Sequence, residues 1–398
     1  MKHKTALLGI LLFLILSMPI LSIAAKAEPV SSQANCEDIP SLIKEVSILR
    51  GLTLKTPVRC IEMERDEYIA YKKKSYIEDV PRDRLTAEEI AFKLIGLIDP
   101  LFSYHECLAE SYTQALVASY DTRLKAILLP RGEGIDRSVL AHELVHALQD
   151  QHFRLGKLQG TANQASDSAL ALAALVEGDA LLVQQKMPRQ SQTTTEGSPI
   201  NPSGRCSPQP GLEAQFDFPN SFGAIYVERL TSRSGVAALN RTFSQPARCT
   251  SEVIHSAVSS PCPRWQSFSV TKQERAWMVN QLGGTPQEVF SDSLGEYTLG
   301  LILSPQIGRA KAILAAKGWA GDKMILWQGP RGHGVSLVTE WRDSKDAREF
   351  AHLFSVSAAQ RYAVSIEPTV KNWQLSKGKI TLRLAQGEKR VVLFFTSY

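Results

Sequence analysis

The sequence predicts an α+β protein, on three observations. Residues 136–152 contain no Pro or Gly, and Leu140, Leu144, Ala147 and Leu148 supply the apolar face of a helix. Residues 167–185 are alanine-rich and read as a second helix. Toward the C-terminus, residues 324–327, 335–341, 380–384 and 391–395 alternate or run apolar as strands do, with a helix expected over 343–353.

Taken in order, the chain opens with Lys2 and Lys4 and an apolar run over 6–25, closed by Ala25-Lys26-Ala27. A short basic region, an apolar run and a small-x-small site describe a secretory leader over 1–27, with Glu28 as the first residue after cleavage. Left uncleaved, a run of about 20 apolar residues is long enough to anchor the chain in a bilayer. Export places the six cysteines (Cys36, Cys60, Cys107, Cys206, Cys249 and Cys262) in an oxidising compartment. None forms a C-x-x-C pair, so structural disulfides are expected; Cys36 with Cys60 and Cys249 with Cys262 are nearest in sequence, and spacing leaves the connectivity open. Without residues 1–27, 42 basic residues face 40 acidic ones. So small a net charge gives no reason to expect nucleic acid or an acidic membrane as partner.

Residues 36–56 read as a short helix entering the Arg50-Gly51-Leu52 turn, and 57–63 as a strand. A charged helix is expected over 65–77 and an amphipathic one over 87–98, closed by Asp99-Pro100. Residues 120–123 read as a turn and 124–129 as a strand, whose edge is a candidate for pairing with an extended peptide. A polar loop is expected over 153–164 and a long Ser/Gln/Thr/Pro-rich loop over 187–218, followed by helices at 222–230, 236–243 and 294–303.

The chemistry concentrates on the helix over 136–152, for which Asp136 is the expected N-cap. His142 and His146, four residues apart, share one face and can both reach one zinc ion. Glu143 stands beside them as a candidate general base; the pattern is H-E-x-x-H. In the second helix, Glu177 sits among Ala173, Ala174 and Gly178, where an ionised carboxylate is costly to bury unless a metal takes it. Those small residues are expected to let this helix approach the histidine helix closely. Asp179 competes as third ligand but faces another way. Stabilising an oxyanion needs a further cation or hydroxyl, for which His255 and Tyr226 are the candidates. Glu296 and His333 read as surface residues.

With these residues in place, the sequence resembles the gluzincin metallopeptidases, the group that includes thermolysin. More closely, Tyr120-Asp121, the strand over 124–129, the run from Ala141 to Gln151 and Val176-Glu177-Gly178-Asp179-Ala180 resemble a poorly characterised set of secreted prokaryotic metallopeptidase-like proteins. Weaker similarity extends over 246–255 and 318–323. The resemblance implies a zincin-like core, one zinc per chain held by His142, His146 and Glu177, and Glu143 as general base. A thermolysin-like enzyme has an aspartate four residues after the glutamate ligand; here that position is Leu181. The residue orienting a histidine must come from elsewhere, and Asp150 and Asp179 are candidates.

The expected organisation is therefore a leader (1–27), an N-terminal region (28–118), a metal-binding core (119–186), a loop (187–218), a helical region (219–316) and a small C-terminal α/β region (317–398). The expected activity is hydrolysis of peptide or protein substrates outside the cytoplasm, with a zinc-stabilised but catalytically weak binding protein as the alternative. A membrane enters only through an uncleaved leader.

Overall fold

The computed structural model describes residues 33–79, 82–108, 117–162, 165–188, 206–255, 262, 267–367 and 370–397. The expected leader and most of the loop over 187–218 lie outside these residues. Among the described residues no helix is long and apolar enough to cross a membrane.

The molecule is α+β, and Ser32–Tyr398 forms one compact unit. In its N-terminal half, α1 (Ile39–Arg50) ends on Gly51, whose positive φ of 71° suits glycine at a helix C-cap. Three strands, β2 (Arg59–Met63), β4 (Ala126–Pro130) and β3 (Ser119–Asp121), form a small sheet in that order; β1 (Gln33–Ala34) and β5 (Ile135–Asp136) pair separately. Strand β4 is held on both sides, parallel to β2 and antiparallel to β3. The expected free edge after residue 123 is thus an interior strand, and the sheet's edges are β2 and the half-buried β3, the latter overlapping the stretch read as a turn. Helices α2 (Arg65–Asp79) and α3 (Arg82–Ile95) intervene, the latter starting five residues before the expected 87.

Helix α4 (Arg137–Phe153) carries the two histidines, and Asp136 caps it, its Oδ1 accepting from Ser138 N at 2.6 Å. The expected loop after it is instead helix α5 (Leu155–Ala162), which buries Leu155. Helix α6 (Ser166–Gln184) spans two cores. Its first half packs with α3, α7 (Pro210–Thr242) and the C-terminal sheet; Ala180 and Val183 join Leu42 and Val46 of α1, Ile127 and Leu129 of β4, and Leu140 and Leu144 of α4. Glu177 lies between the two. Helix α7 merges the two expected helices and also takes in 210–218; its break is at Gly235.

Gly178 and Ala174 of α6 lie against α7, whereas Ala180 packs on the histidine helix and Ala173 lines the cleft beside Glu177. A Cβ on Gly178 would lie 2.2 Å from the Gly223 carbonyl oxygen, and one on Gly223 would lie 2.3 Å from that of Ala174. Close approach here is backbone against backbone. The start of α6 is fixed by buried carboxylates. Asp292 accepts from Ser166 N (2.7 Å), Asp167 accepts from the N–H and hydroxyl of Thr250 (2.8 and 2.6 Å), and Asp322 accepts from Leu294 N and Gly295 N.

The C-terminal sheet is antiparallel throughout, in the order β6 (Gln287–Asp292), β7 (Trp319–Gly329), β8 (Gly332–Trp341), β11 (Arg390–Ser397), β10 (Ile380–Gln386), β9 (Asn372–Lys377). Alternation puts Met324, Leu326, Val335, Leu337, Leu393 and Phe395 on the face covered by α12 (Ser344–Tyr362). Ile325, Trp327, Val338, Val392 and Phe394 face the other way, onto Trp277, Met278 and Leu282 of α9 (Lys272–Leu282). Both faces are covered, so the inner strands read as continuous apolar runs. Helices α8 (Thr250–His255), α10 (Gly295–Ile307) and α11 (Arg309–Ala316) complete the fold. Three disulfides tie it together: Cys36–Cys60, Cys107–Cys206 and Cys249–Cys262. They mark an extracytoplasmic protein.

Candidate metal centre

Helix α4 turns His142 and His146 toward Glu177 of α6. The two Nε2 atoms are 3.0 Å apart, and Glu177 Oε2 lies 3.1 Å from that of His142 and 3.6 Å from that of His146. A tetrahedral ion with ligand bonds of about 2.05 Å separates its donor atoms by about 3.3 Å. The three observed separations bracket that value, and two imidazoles with one carboxylate suit zinc. The residues present fit the ion.

Each imidazole is held from behind. His142 Nδ1 is 3.0 Å from Gln184 Oε1 and His146 Nδ1 is 2.9 Å from Gln149 Oε1. An amide oxygen only accepts, so each Nδ1 carries the hydrogen and each Nε2 is turned to the shared point. Gln149 is itself fixed, its Nε2 donating to Val176 O (3.0 Å) and Asp179 Oδ2 (2.8 Å). Of the two aspartates expected behind the histidines, Asp179 reaches His146 through Gln149, while Asp150 accepts from Tyr120 OH (3.0 Å) and Lys125 Nζ (2.9 Å).

Glu143 is half-buried, and its Oε2 accepts from Tyr120 N at 2.7 Å. Burial pushes its pKa up, partly offset by the charges of His146 and His142 and by that backbone bond. Burial opposes charge on His146, yet the Glu177 carboxylate outweighs it and carries the imidazolium pKa up to about 10. Glu177 is held well below the usual carboxylate range: desolvation works against it, and His146 and His142 prevail.

Glu177 keeps a third of its side chain open, at the wall of a cleft of about 930 Å³. Its apolar side includes Leu170, Ala173, Val176, Leu212 and Phe216, and its polar side Lys72, Tyr120, Asp121 and Arg123. The ammonium of Lys72 is pushed down by burial and supported by the charges of Glu143 and Asp121. All three residues of the β3 edge line this cleft.

The two oxyanion candidates do not line it among the described residues. Tyr226 is buried in the main core, and desolvation, then Glu252, pushes its phenol up to about 12. His255 pairs at 2.8 Å with Glu296, which is buried and not the expected surface residue; His333 is half-buried at the start of β8. Gln149, Gln184 and Lys72 carry no spacing signature and were not legible as site residues. A second cluster with ligand-type side chains, Cys249, Glu252 and Cys262, has its two sulfurs committed to a disulfide.

Against known proteins, no curated protein and no solved structure matches the chain. Residues 281–396, which include all of the six-stranded sheet except Ser397 but neither the histidine helix nor Glu177, match a domain of unknown function, DUF8575.

Proposed function

We propose that this protein is an exported zinc-dependent metallopeptidase of the gluzincin type, with a zincin-like core. The observation that carries the reading is the convergence of His142 Nε2, His146 Nε2 and Glu177 Oε2 within one ion's coordination distances. His142, His146 and Glu177 would hold one zinc per chain. When bound, the ion supplies Lewis acidity, lowering the pKa of water and polarising a carbonyl.

The chain's own residues do the rest. Glu143 takes the proton of the attacking water and delivers it to the leaving amine. Burial, which makes its carboxylate more basic than an exposed one, suits both halves of that task. The Tyr120 N–H restricts one carboxylate oxygen and leaves the other free to move the proton. The backbone groups of β3 that Glu143 does not take would pair with an extended peptide, and the apolar wall would receive its side chains. Lys72, which lines the cleft and feels the charge of Glu143, would be the cation that meets negative charge developing there.

The test is metal analysis of purified protein beside a broad peptide-cleavage screen. Wild type should carry about one zinc per chain, lost in His142→Ala/His146→Ala. Glu143→Gln should keep the metal and lose hydrolysis. Stoichiometric zinc in the double variant, or near wild-type cleavage by Glu143→Gln, would refute the reading.

A further inference from the structure

We infer that Arg50, on a helix nearly a hundred residues before the metal motif, is a positioning residue for His146, acting through Asp179 and Gln149. The inference rests on the metal-site reading above and extends it to a relay that a thermolysin-like aspartate does not describe.

Arg50 and Asp179 are both buried, and Arg50 Nε lies 2.5 Å from Asp179 Oδ1. The pair is not a well-satisfied bridge. Among the described residues, none of the three guanidinium nitrogens, nor Asp179 Oδ1, makes a hydrogen bond of good geometry. Replacing a buried ion pair by apolar residues is often neutral or stabilising, so the pair by itself is weak evidence of a stability role. What it does is fix the other carboxylate oxygen. Asp179 Oδ2 accepts from Gln149 Nε2, which also donates to Val176 O. With both acceptors on the nitrogen side, the amide can present only its oxygen to His146 Nδ1. The ring then carries a hydrogen on Nδ1, held by Gln149, with Nε2 aimed at Glu177.

The same amide ties two ligands together. Val176 precedes Glu177, so Gln149 sets the register of α6 against α4 at the point where the third ligand leaves its helix. A glutamine in place of a carboxylate keeps negative charge one step away from the imidazole, and Arg50 neutralises it there. Arg50 closes α1, whose start is tethered to β2 by Cys36–Cys60. The N-terminal segment thereby becomes part of the site's support.

The test uses the full exported chain labelled with ¹⁵N-histidine. The His146 Nδ1–H signal, assigned by its absence in His146→Ala, should be protected from exchange in metal-free wild type. It should be lost in Gln149→Leu. Arg50→Met/Asp179→Leu removes both charges together, leaves no unpaired buried ion, and should melt no lower than wild type. That variant should broaden the signal and weaken zinc about 10- to 100-fold in chelator competition, and the single variant Arg50→Lys, with Asp179 in place, should keep most of the affinity. A folded double variant with the signal intact and zinc affinity within about threefold of wild type overturns the relay while leaving the metal site standing. If wild type binds no zinc, the proposed function falls, and the exchange signal alone still decides whether Arg50 positions His146.

Discussion

Gly178 lies against the backbone of Gly223 so closely that neither position has room for a methyl group. This contact, one residue from Glu177, sets how far α6 stands from α7 and so where the carboxylate meets the histidines. Gly223→Ala must push the helices apart. The expected loss is about 1–3 kcal/mol of stability, as for other overpacked sites, with weaker metal binding because Glu177 moves with its helix. Thermal unfolding and chelator competition on one sample check both. An unchanged melting temperature would mean the helices adjust freely and the contact sets nothing.

That contact also marks the limit of what the sequence discloses. Small residues around Glu177 announce close helix neighbours but not which residue meets which: Ala180 packs on α4, while Gly178 and Ala174 meet α7. The helix with the histidines was legible because apolar period, Asp136 cap and motif coincide over one stretch. Strands β6 and β9 were missed because they are the edges of the C-terminal sheet and largely exposed, so they lack the apolar runs of the inner strands. Residues 155–162 hid a helix behind two glycines and polar side chains. The burial of Glu296 depends on a partner 41 residues away, and nothing local announces it.

A second prediction separates the ligand from its neighbours. Glu177→Gln removes an anionic donor whose oxygen lies within 3.6 Å of both imidazole nitrogens, so zinc affinity should fall sharply. Asp150→Asn alters a side chain that is committed to Tyr120 and Lys125 and bonds to neither histidine nor Gln149, and should cost less than the roughly 10-fold at the low end of outer-shell changes. Competition with a chromophoric chelator measures both. Loss of zinc in Asp150→Asn with retention in Glu177→Gln would reverse the assignment.

A third prediction concerns the cysteines. All six are paired, so denatured, unreduced protein should show no reactive thiol. Opening Cys36–Cys60 by double substitution with Ala frees a loop of sequence separation 24, worth about 3 kcal/mol in chain entropy. Because α1 bears Arg50, the same variant should also weaken zinc. Intact-mass measurement after alkylation gives the thiol count, and two or more alkylated cysteines in unreduced protein would contradict this pairing.

The last prediction is a stability that declines toward alkaline pH. Burial pushes the carboxyl of Asp167 up to about 8, against the hydrogen bonds from Thr250 and with the charges of Asp322 and Asp292. It pushes Asp292 up to about 7, against Ser166 and with Glu88. An aspartate in the unfolded chain ionises near pH 3.9. Between there and pH 8 the unfolded chain binds fewer protons than the folded one, so stability falls as pH rises. The contribution is full below about pH 4 and gone once both carboxyls have ionised in the fold. One unit of displacement is about 1.4 kcal/mol, so Tm should drop by at least about 2 °C between pH 5.5 and 8.5. The scans belong in chelator, which removes metal binding from the comparison. His146, raised by Glu177 against burial, loses its own contribution in the same direction as pH climbs toward 10. Asp167→Asn and Asp292→Asn distinguish the two sources, since each should flatten the slope while the His146 part remains. A wild-type Tm that is level or rising across this range would show that these carboxyls are already ionised in the folded protein.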